Sequence, residues 1–334
     1  MRRHLPRWLV VAGLAGLFVL GLTALPTAED PPRYSEWGPP VNLGPVVNSW
    51  GDWTVAYDAC PTIAKDGLSL FFRSNRPGGF GGFDIYVTQR DSPEDPWGVP
   101  MNLGPAINTQ YDEFCSTFSP DGHWIVFVRG GLPTATGNCG TAANQDMWIS
   151  RRKDKRDDFG WKNAWHLGCE VNSPANENGP AWFEDEASGR TLLYFSSNRT
   201  GTAGQLDIWV SEAIGDEKGV FGSPDPVLEL NTPASDYQPV LRRDGLEIFF
   251  ASGRPGGLNP YVTPDLWTST RASTSDPWSP PVSLGPVVNS VQYDFHPTLS
   301  FDGTTLYFAS ERGGAAAGWG DIWMTTRTKV RGRP

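Results

Sequence analysis

The chain has 334 residues, a formal net charge of -10, and 38 glycines, 30 prolines and 15 tryptophans. It is long enough to bury a large core and too aromatic to be disordered, and its acidity disfavours nucleic acid and anionic lipid as partners. Glycine, proline and aromatic usage of this kind suits many short strands joined by tight turns.

The first element is a leader. Arg2, Arg3 and Arg7 precede an apolar run from Trp8 to Leu25. Charge followed by a hydrophobic segment predicts a signal peptide or N-terminal membrane anchor over residues 1–28, with a linker over 29–36. Either form puts the rest of the chain outside the cytoplasm, as a periplasmic, secreted or anchored protein. Contact with a membrane is expected only through this segment, if it stays uncleaved.

Five repeats follow, with expected bounds 37–96, 97–160, 161–220, 221–277 and 278–327, and then a basic tail over 328–334. Each opens on an aromatic residue: Trp37, Trp97, Trp161, Phe221 and Trp278. Ten or eleven residues later comes Asn48, Asn108, Asn172, Asn231 or Asn289, then a carboxylate, Asp58, Glu113, Glu177, Asp236 or Asp294. Eight residues further on stands Asp66, Asp121, Asp185, Asp244 or Asp302, mostly in an Asp-Gly turn. Each repeat closes on Asp-hydrophobe-aromatic, at Asp84, Asp146, Asp207, Asp265 and Asp321.

A period near sixty residues with fixed landmarks is the mark of a repeat architecture. In the fifth repeat, Asp294–Ser300, Thr305–Ser310 and Asp321–Thr326 read as strands, and Pro281–Leu284 as a fourth, short one. Four locally connected antiparallel strands make a propeller blade. The chain begins with the Trp-led strand and ends after the Asp-Ile-Trp strand. The last blade therefore lacks an outer strand that residues 37–43 can supply, removing an open sheet edge. The prediction is an all-β, five-bladed β-propeller over 37–327, closed by its N-terminal strand.

The segments Leu70–Tyr86 and Ser119–Gly122 resemble the WD40-like (PD40) repeats of TolB-type propellers. The resemblance runs along nearly the whole exported chain. It implies a bacterial envelope or secreted protein. It transfers no catalytic residue, because that family includes scaffolds, protein-binding domains and a few enzymes.

Alternating strand directions place the asparagines, the five carboxylates and the Ser-Asn-Arg-type loops on one face. Arg76, Arg199, Arg254 and Arg312 are expected to pair with Asp84, Asp207, Asp265 and Asp321 across strand ends. Repeat two has instead Arg129-Gly130-Gly131 and a longer loop containing Cys139. The carboxylates Asp58, Glu113, Glu177, Asp236 and Asp294 have two readings. They bond backbone locally, or they ring the axis and bind Ca²⁺ or Mg²⁺. Two residues after each stand Cys60, Cys115, Gly179, Gln238 and His296. Equivalent places in adjacent blades favour the disulfide Cys60–Cys115, and Cys139 in the top loop of blade two with Cys169 after the outer strand of that blade favours Cys139–Cys169. His296 is a candidate base or ligand, or simply packed. Tyr57, Tyr111, Tyr237 and Tyr293, with Trp50, Trp53 and Phe295, are core or the lining of a shallow cup. The Gly-rich stretch 77–82 opens no helix and is no phosphate loop.

The landmarks are alike from blade to blade, whereas chemistry usually needs unlike residues. The expectation is an exported, monomeric binding module whose upper face takes a carbohydrate, a peptide or an envelope protein. One alternative is a glycoside hydrolase using two of the five carboxylates. Another is a structural envelope scaffold without a soluble ligand.

Overall fold

The computed structural model describes residues 33–49, 57–131, 139, 145–215, 219–258, 263–313 and 320–330. The leader 1–28, Trp50, Trp53 and residues 331–334 of the tail lie outside the described residues. Among those described, no helix is long and apolar enough to cross a membrane.

Five four-stranded antiparallel sheets form the ring. From the axis outward, blade one is Asp58–Ile63, Ser69–Ser74, Asp84–Gln89 and Met101–Asn102. Blade two is Asp112–Phe118, Trp124–Gly130, Asp146–Arg151 and Trp165–His166. Blade three is Glu177–Asp185, Arg190–Ser197, Asp207–Glu212 and Asp225–Pro226. Blade four is Asp236–Leu241, Glu247–Ser252, Asp265–Thr270 and Val282–Ser283. Blade five is Asp294–Leu299, Thr305–Ser310 and Asp321–Thr326, completed by Val41–Asn42 from the start of the chain.

The second strand of each blade is a continuous apolar run, because neighbouring blades cover both of its faces. Phe71 and Phe72, Val126 and Phe127, Leu193 and Phe195, Phe249 and Phe250, and Leu306 and Phe308 are all buried. The core therefore lies between blades. Val126 and Ile149 of blade two pack with Trp182, Leu193 and Phe195 of blade three. Turns at the lower end carry glycines at positive φ, such as Gly67 (φ 75°) and Gly122 (φ 76°), where other residues would be strained.

The repeated tryptophans have a specific partner. An arginine at the end of the third strand lies over each ring, its guanidinium 4.2 Å from the centroid for Arg90–Trp97, 4.4 Å for Arg152–Trp161 and 4.1 Å for Arg271–Trp278. At the closure Arg327 covers Trp37 at 4.4 Å. Such contacts contribute roughly 0.5–2 kcal/mol each.

The expected closure is present. Val41 pairs with Met324 and Asn42 with Trp323. A further ladder was not foreseen: Arg33 pairs with Val330 and Tyr34 with Lys329, so parts of the expected linker and tail clasp each other below the closing blade.

Candidate functional site

Each inner strand carries a bulge, with a register shift two residues after the carboxylate. The bulged residues Cys60, Cys115, Gly179, Gln238 and His296 all adopt positive φ, between 46° and 56°. Four are not glycine, so this backbone is maintained against a steric cost by the surrounding structure. The bulges turn these side chains toward the axis and make a waist. Cys60 and Cys115 are joined there as a disulfide, and Cys139 is joined to Cys169. Disulfides in this number fit an oxidising compartment.

The five carboxylates lie at the upper end of the inner strands, and all are buried. Each is held by the residue following the repeat asparagine, through both its backbone N–H and its hydroxyl. Thr109 donates to Glu113 over 2.8 and 2.6 Å, Thr232 to Asp236 over 2.6 and 2.7 Å, and Ser173 to Glu177 over 3.0 and 2.6 Å. Ser49 on Asp58 and Ser290 on Asp294 repeat the arrangement. Each carboxylate also pairs with an arginine: Arg76–Asp58 at 2.9 Å, Arg129–Glu113 at 2.6 Å, Arg199–Glu177 at 3.0 Å, and Arg254–Asp236 and Arg312–Asp294 at 2.5 Å.

This corrects the expected pairing of Arg76, Arg199, Arg254 and Arg312 with Asp84, Asp207, Asp265 and Asp321. Asp84, Asp207 and Asp265 close their own hairpin loops instead, and Asp321 binds the outer strand of its blade. Asp84 accepts from the Phe80 N–H and from Asn102 Nδ2. Asp207 accepts from the amides of Ala203 and Gly204, Asp265 from the Leu258 amide, and Asp321 from Asn42 Nδ2. Blade two keeps the same scheme by a different route. Arg129 sits on the strand itself, opposite Glu113, and still donates to the Ile107 carbonyl at 2.8 Å.

Two consequences follow for the carboxylates. Burial pushes Glu113 and Glu177 above the usual carboxylate range, against the opposing pull of Thr109 and Arg129 or of Ser173 and Arg199. They also do not converge. Among the described residues, the one group of three or more His, Cys, Asp and Glu with donor atoms within 4.8 Å of one another is Cys60, Cys115 and His296. A Ca²⁺ or Mg²⁺ shared by three of the carboxylates therefore has no site.

The asparagines are structural. Asn108 accepts from the Ile85 N–H at 2.9 Å and donates to its carbonyl at 2.8 Å, a carbonyl that also receives the Leu103 N–H at 3.1 Å. Asn48, Asn172, Asn231 and Asn289 do the same for Ile322, Met147, Ile208 and Leu266.

Above the waist, the symmetry breaks. Arg73 occupies a strand position held by Val128, Ser196, Ala251 and Ala309 in the other blades. Its guanidinium lies 4.8 Å from the rings of both Tyr57 and Phe83 and 5.5 Å from Phe114, and its Nε has no hydrogen-bond partner among the described residues. Burial lowers its pKa from the usual arginine value. Phe295 joins Tyr57 and Tyr293, with centroids 6.4 Å from each, and Tyr293 is 43% exposed. Burial raises Tyr57 and Tyr237, with Glu311 and Tyr293 close enough to add to the rise in both. Glu311 is itself raised by burial and then by Asp294. Tyr57, Tyr237 and Tyr293 thus gather with Arg73 and Glu311 at the mouth. Tyr111 does not enter this group; its carbonyl packs against Gly81 in the loop of the preceding blade. His296 lies directly beneath, its ring 4.5 Å from Phe295. Burial, then the charge of Arg73, holds it well below the usual histidine range.

Arg73 and Glu311 escaped the repeat-based reading because it looked for what recurs. The available signal was the opposite one, a charged residue where the other blades have a small or neutral residue.

The lower end opens into a cavity of about 190 Å³, lined by residues of all five inner strands. Its basic side chains are engaged, Arg152 by Asp158 at 2.6 Å. Lys65 and Arg243 lie over Phe301 at 4.3 and 4.5 Å, and Arg243 pairs with Glu186 at 2.7 Å.

The architecture defines the chain as a five-bladed β-propeller with a constricted axis and a polar, aromatic mouth. No protein-family model matches the sequence, and no curated protein matches it. Among solved structures, the chain is similar to an α-L-arabinofuranosidase from Podospora anserina in complex with cellotriose, with TM-score 0.56, 13% identity, 88% of this chain and 98% of that one. It is similar to an α-L-arabinofuranosidase from Lactobacillus brevis, with TM-score 0.57, 16% identity, 86% of this chain and 94% of that one. A putative TolB from Agrobacterium tumefaciens covers 83% of this chain and 78% of its own at 16% identity, with TM-score 0.45. At such identities the likeness shows the fold alone, and the TolB superposition is too loose to support an argument.

Proposed function

We propose that the protein is an exported binding module that takes a carbohydrate at the mouth formed by Tyr57, Arg73, Tyr237, Tyr293 and Glu311. One observation carries the reading: Arg73 breaks the five-fold pattern and sets a guanidinium among aromatic rings, its buried Nε without a hydrogen-bond partner among the described residues. Sugars present C–H faces that suit aromatic rings and hydroxyls that accept from a guanidinium. An envelope protein displaying such groups would meet the same surface. The periplasm or the cell exterior, with the leader as export signal, is the matching location.

The five buried carboxylates favour binding over hydrolysis. A glycosidase needs two carboxyl groups flanking the scissile bond, one of them free to ionise and the other to donate a proton. Here each of the five is engaged by an arginine and a Ser or Thr. Among the described residues, Glu311, with its raised pKa, is the carboxyl at the mouth suited to proton donation, and it keeps hydrolysis as the second reading.

Glycan-array binding followed by calorimetry tests this. Arg73→Ala and Tyr57→Ala should each weaken the best oligosaccharide at least about tenfold, with hydrolysis undetectable. Turnover abolished by Glu311→Gln would replace the binding reading with the enzymatic one. Binding lost in Arg243→Ala but kept in Arg73→Ala would move the site to the lower cavity.

A further inference from the structure

Below the mouth, and independent of what it binds, the waist holds a cluster that the carbohydrate reading leaves unused. Cys60, Cys115 and His296 come from blades one, two and five, and one donor atom of each lies within 4.8 Å of the other two. They border a small void of about 30 Å³ on the axis, ringed also by Pro61, Pro180, Pro239 and Pro297. A void of this size has room for one water or one ion. His296 is 7% exposed, yet its Nδ1 has no hydrogen-bond partner. An orphaned nitrogen in so closed a place is unusual, because burying an unpaired polar atom costs roughly 1–3 kcal/mol.

We propose that the waist is a redox-gated metal site: when the Cys60–Cys115 disulfide is reduced, the two thiolates and the His296 imidazole bind a thiophilic d¹⁰ cation, Zn²⁺ or Cu⁺. Two sulfurs and an imidazole nitrogen are the donor set such ions take, and Zn²⁺ keeps a fourth position for water. With Zn–S bonds near 2.3 Å, the sulfurs would stand about 3.8 Å apart, so the thiols need only separate within the void. The positive φ of Cys60, Cys115 and His296 is what directs all three inward.

The chemistry balances. A dithiol reductant delivers two electrons and two protons to the Sγ–Sγ bond, giving two thiols, and is itself oxidised to a disulfide. Metal binding then releases those two protons to solvent. Reoxidation by a disulfide such as oxidised glutathione re-forms the Sγ–Sγ bond, expels the ion and, with two protons taken back from solvent, yields two glutathione thiols.

The test uses the exported chain, residues 29–334, with Cys139→Ser and Cys169→Ser to remove the other thiols. Zn²⁺ titration against a chromophoric chelator should give one equivalent on the reduced protein and none on the oxidised. Co²⁺ in place of Zn²⁺ should add a thiolate-to-metal absorption band, and Cu⁺ delivered from a chelated stock separates the two ions by relative affinity. His296→Asn tolerates the left-handed backbone and should weaken Zn²⁺ at least about tenfold, with an unchanged fold by circular dichroism. Bound Zn²⁺ should also slow reoxidation of the cysteines, read by alkylation and mass. Absence of stoichiometric binding to the reduced, folded protein overturns the proposal. So does binding that is indifferent to His296→Asn.

Discussion

Arg327 Nη2 donates to Glu247 Oε2 over 2.6 Å, and its guanidinium lies 3.9 Å from the ring centroid of Tyr34. One side chain therefore ties the end of blade five to blade four and to the first strand of the clasp. Glu247 also receives Arg242 at 2.7 Å. Arg327→Ala would leave Glu247 half-compensated and Trp37 uncovered. Breaking a buried pair from one side costs about 3–5 kcal/mol, and the remaining Arg242 moderates it. The expected loss is about 2–3 kcal/mol in urea unfolding. Since the break falls at the seam of the ring, proteolysis should begin at the termini. A change under about 0.5 kcal/mol would show that the ring is sealed by the Val41–Asn42 strand alone.

The carboxylate ring gives a separate prediction. Asp236→Asn would leave Arg254, buried between Asp236 and the Leu230 carbonyl, without its counter-charge. Stability should fall by about 3 kcal/mol while affinity for a mouth ligand stays within twofold. Thermal unfolding and calorimetry on the same variant separate the two effects. A large loss of affinity in a well-folded Asp236→Asn protein would put that carboxylate back in the binding site.

The partner of these arginines is not written in the spacing of the chain. Ser74 aligns with Asp58 on one side and with Asp84 on the other. Both carboxylates thus stand level with the loop that carries Arg76, and spacing along the chain cannot choose between them. The choice is made by the Gly-rich loop, whose amides turn in to Asp84 and occupy it. The repeat period, the strand order and the closing strand were legible because each follows from local pattern. Both disulfides were legible because repeat equivalence or a shared blade brought their cysteines together. The mouth was not, since Arg73 and Glu311 gain meaning only from neighbours contributed by other blades.

Asp321 predicts a pH dependence. Burial raises it from 3.8 to about 6, the Asp58 charge adds to the rise, and Asn42 opposes it. The folded state thus binds this proton more tightly than the unfolded chain. Its contribution to stability is greatest below about pH 4 and is lost as pH rises toward about 6. Asp321→Asn should flatten the stability profile between pH 4 and 6, measured by denaturant midpoints at constant salt. An unchanged slope in that window would assign the titration to other groups.

The waist gives the last prediction. Gly179 is the one bulged residue of the five without a side chain, at φ 56°. A Cβ there would stand 2.8 Å from the Gln238 Cα and 2.7 Å from its Cγ, so the neighbouring backbone would have to move. Gly189 has φ 71° but nothing within 4 Å of its would-be Cβ. Gly189→Ala therefore measures the left-handed strain alone, about 1 kcal/mol. Gly179→Ala adds overpacking at the axis and should cost about 1–3 kcal/mol more. The Gln238 Oε1 that accepts from the His296 N–H would be displaced with it. Equal losses in the two variants would mean that the five inner strands can spread at the waist, and that the axis is less tightly closed than the contacts between Gly179 and Gln238 require.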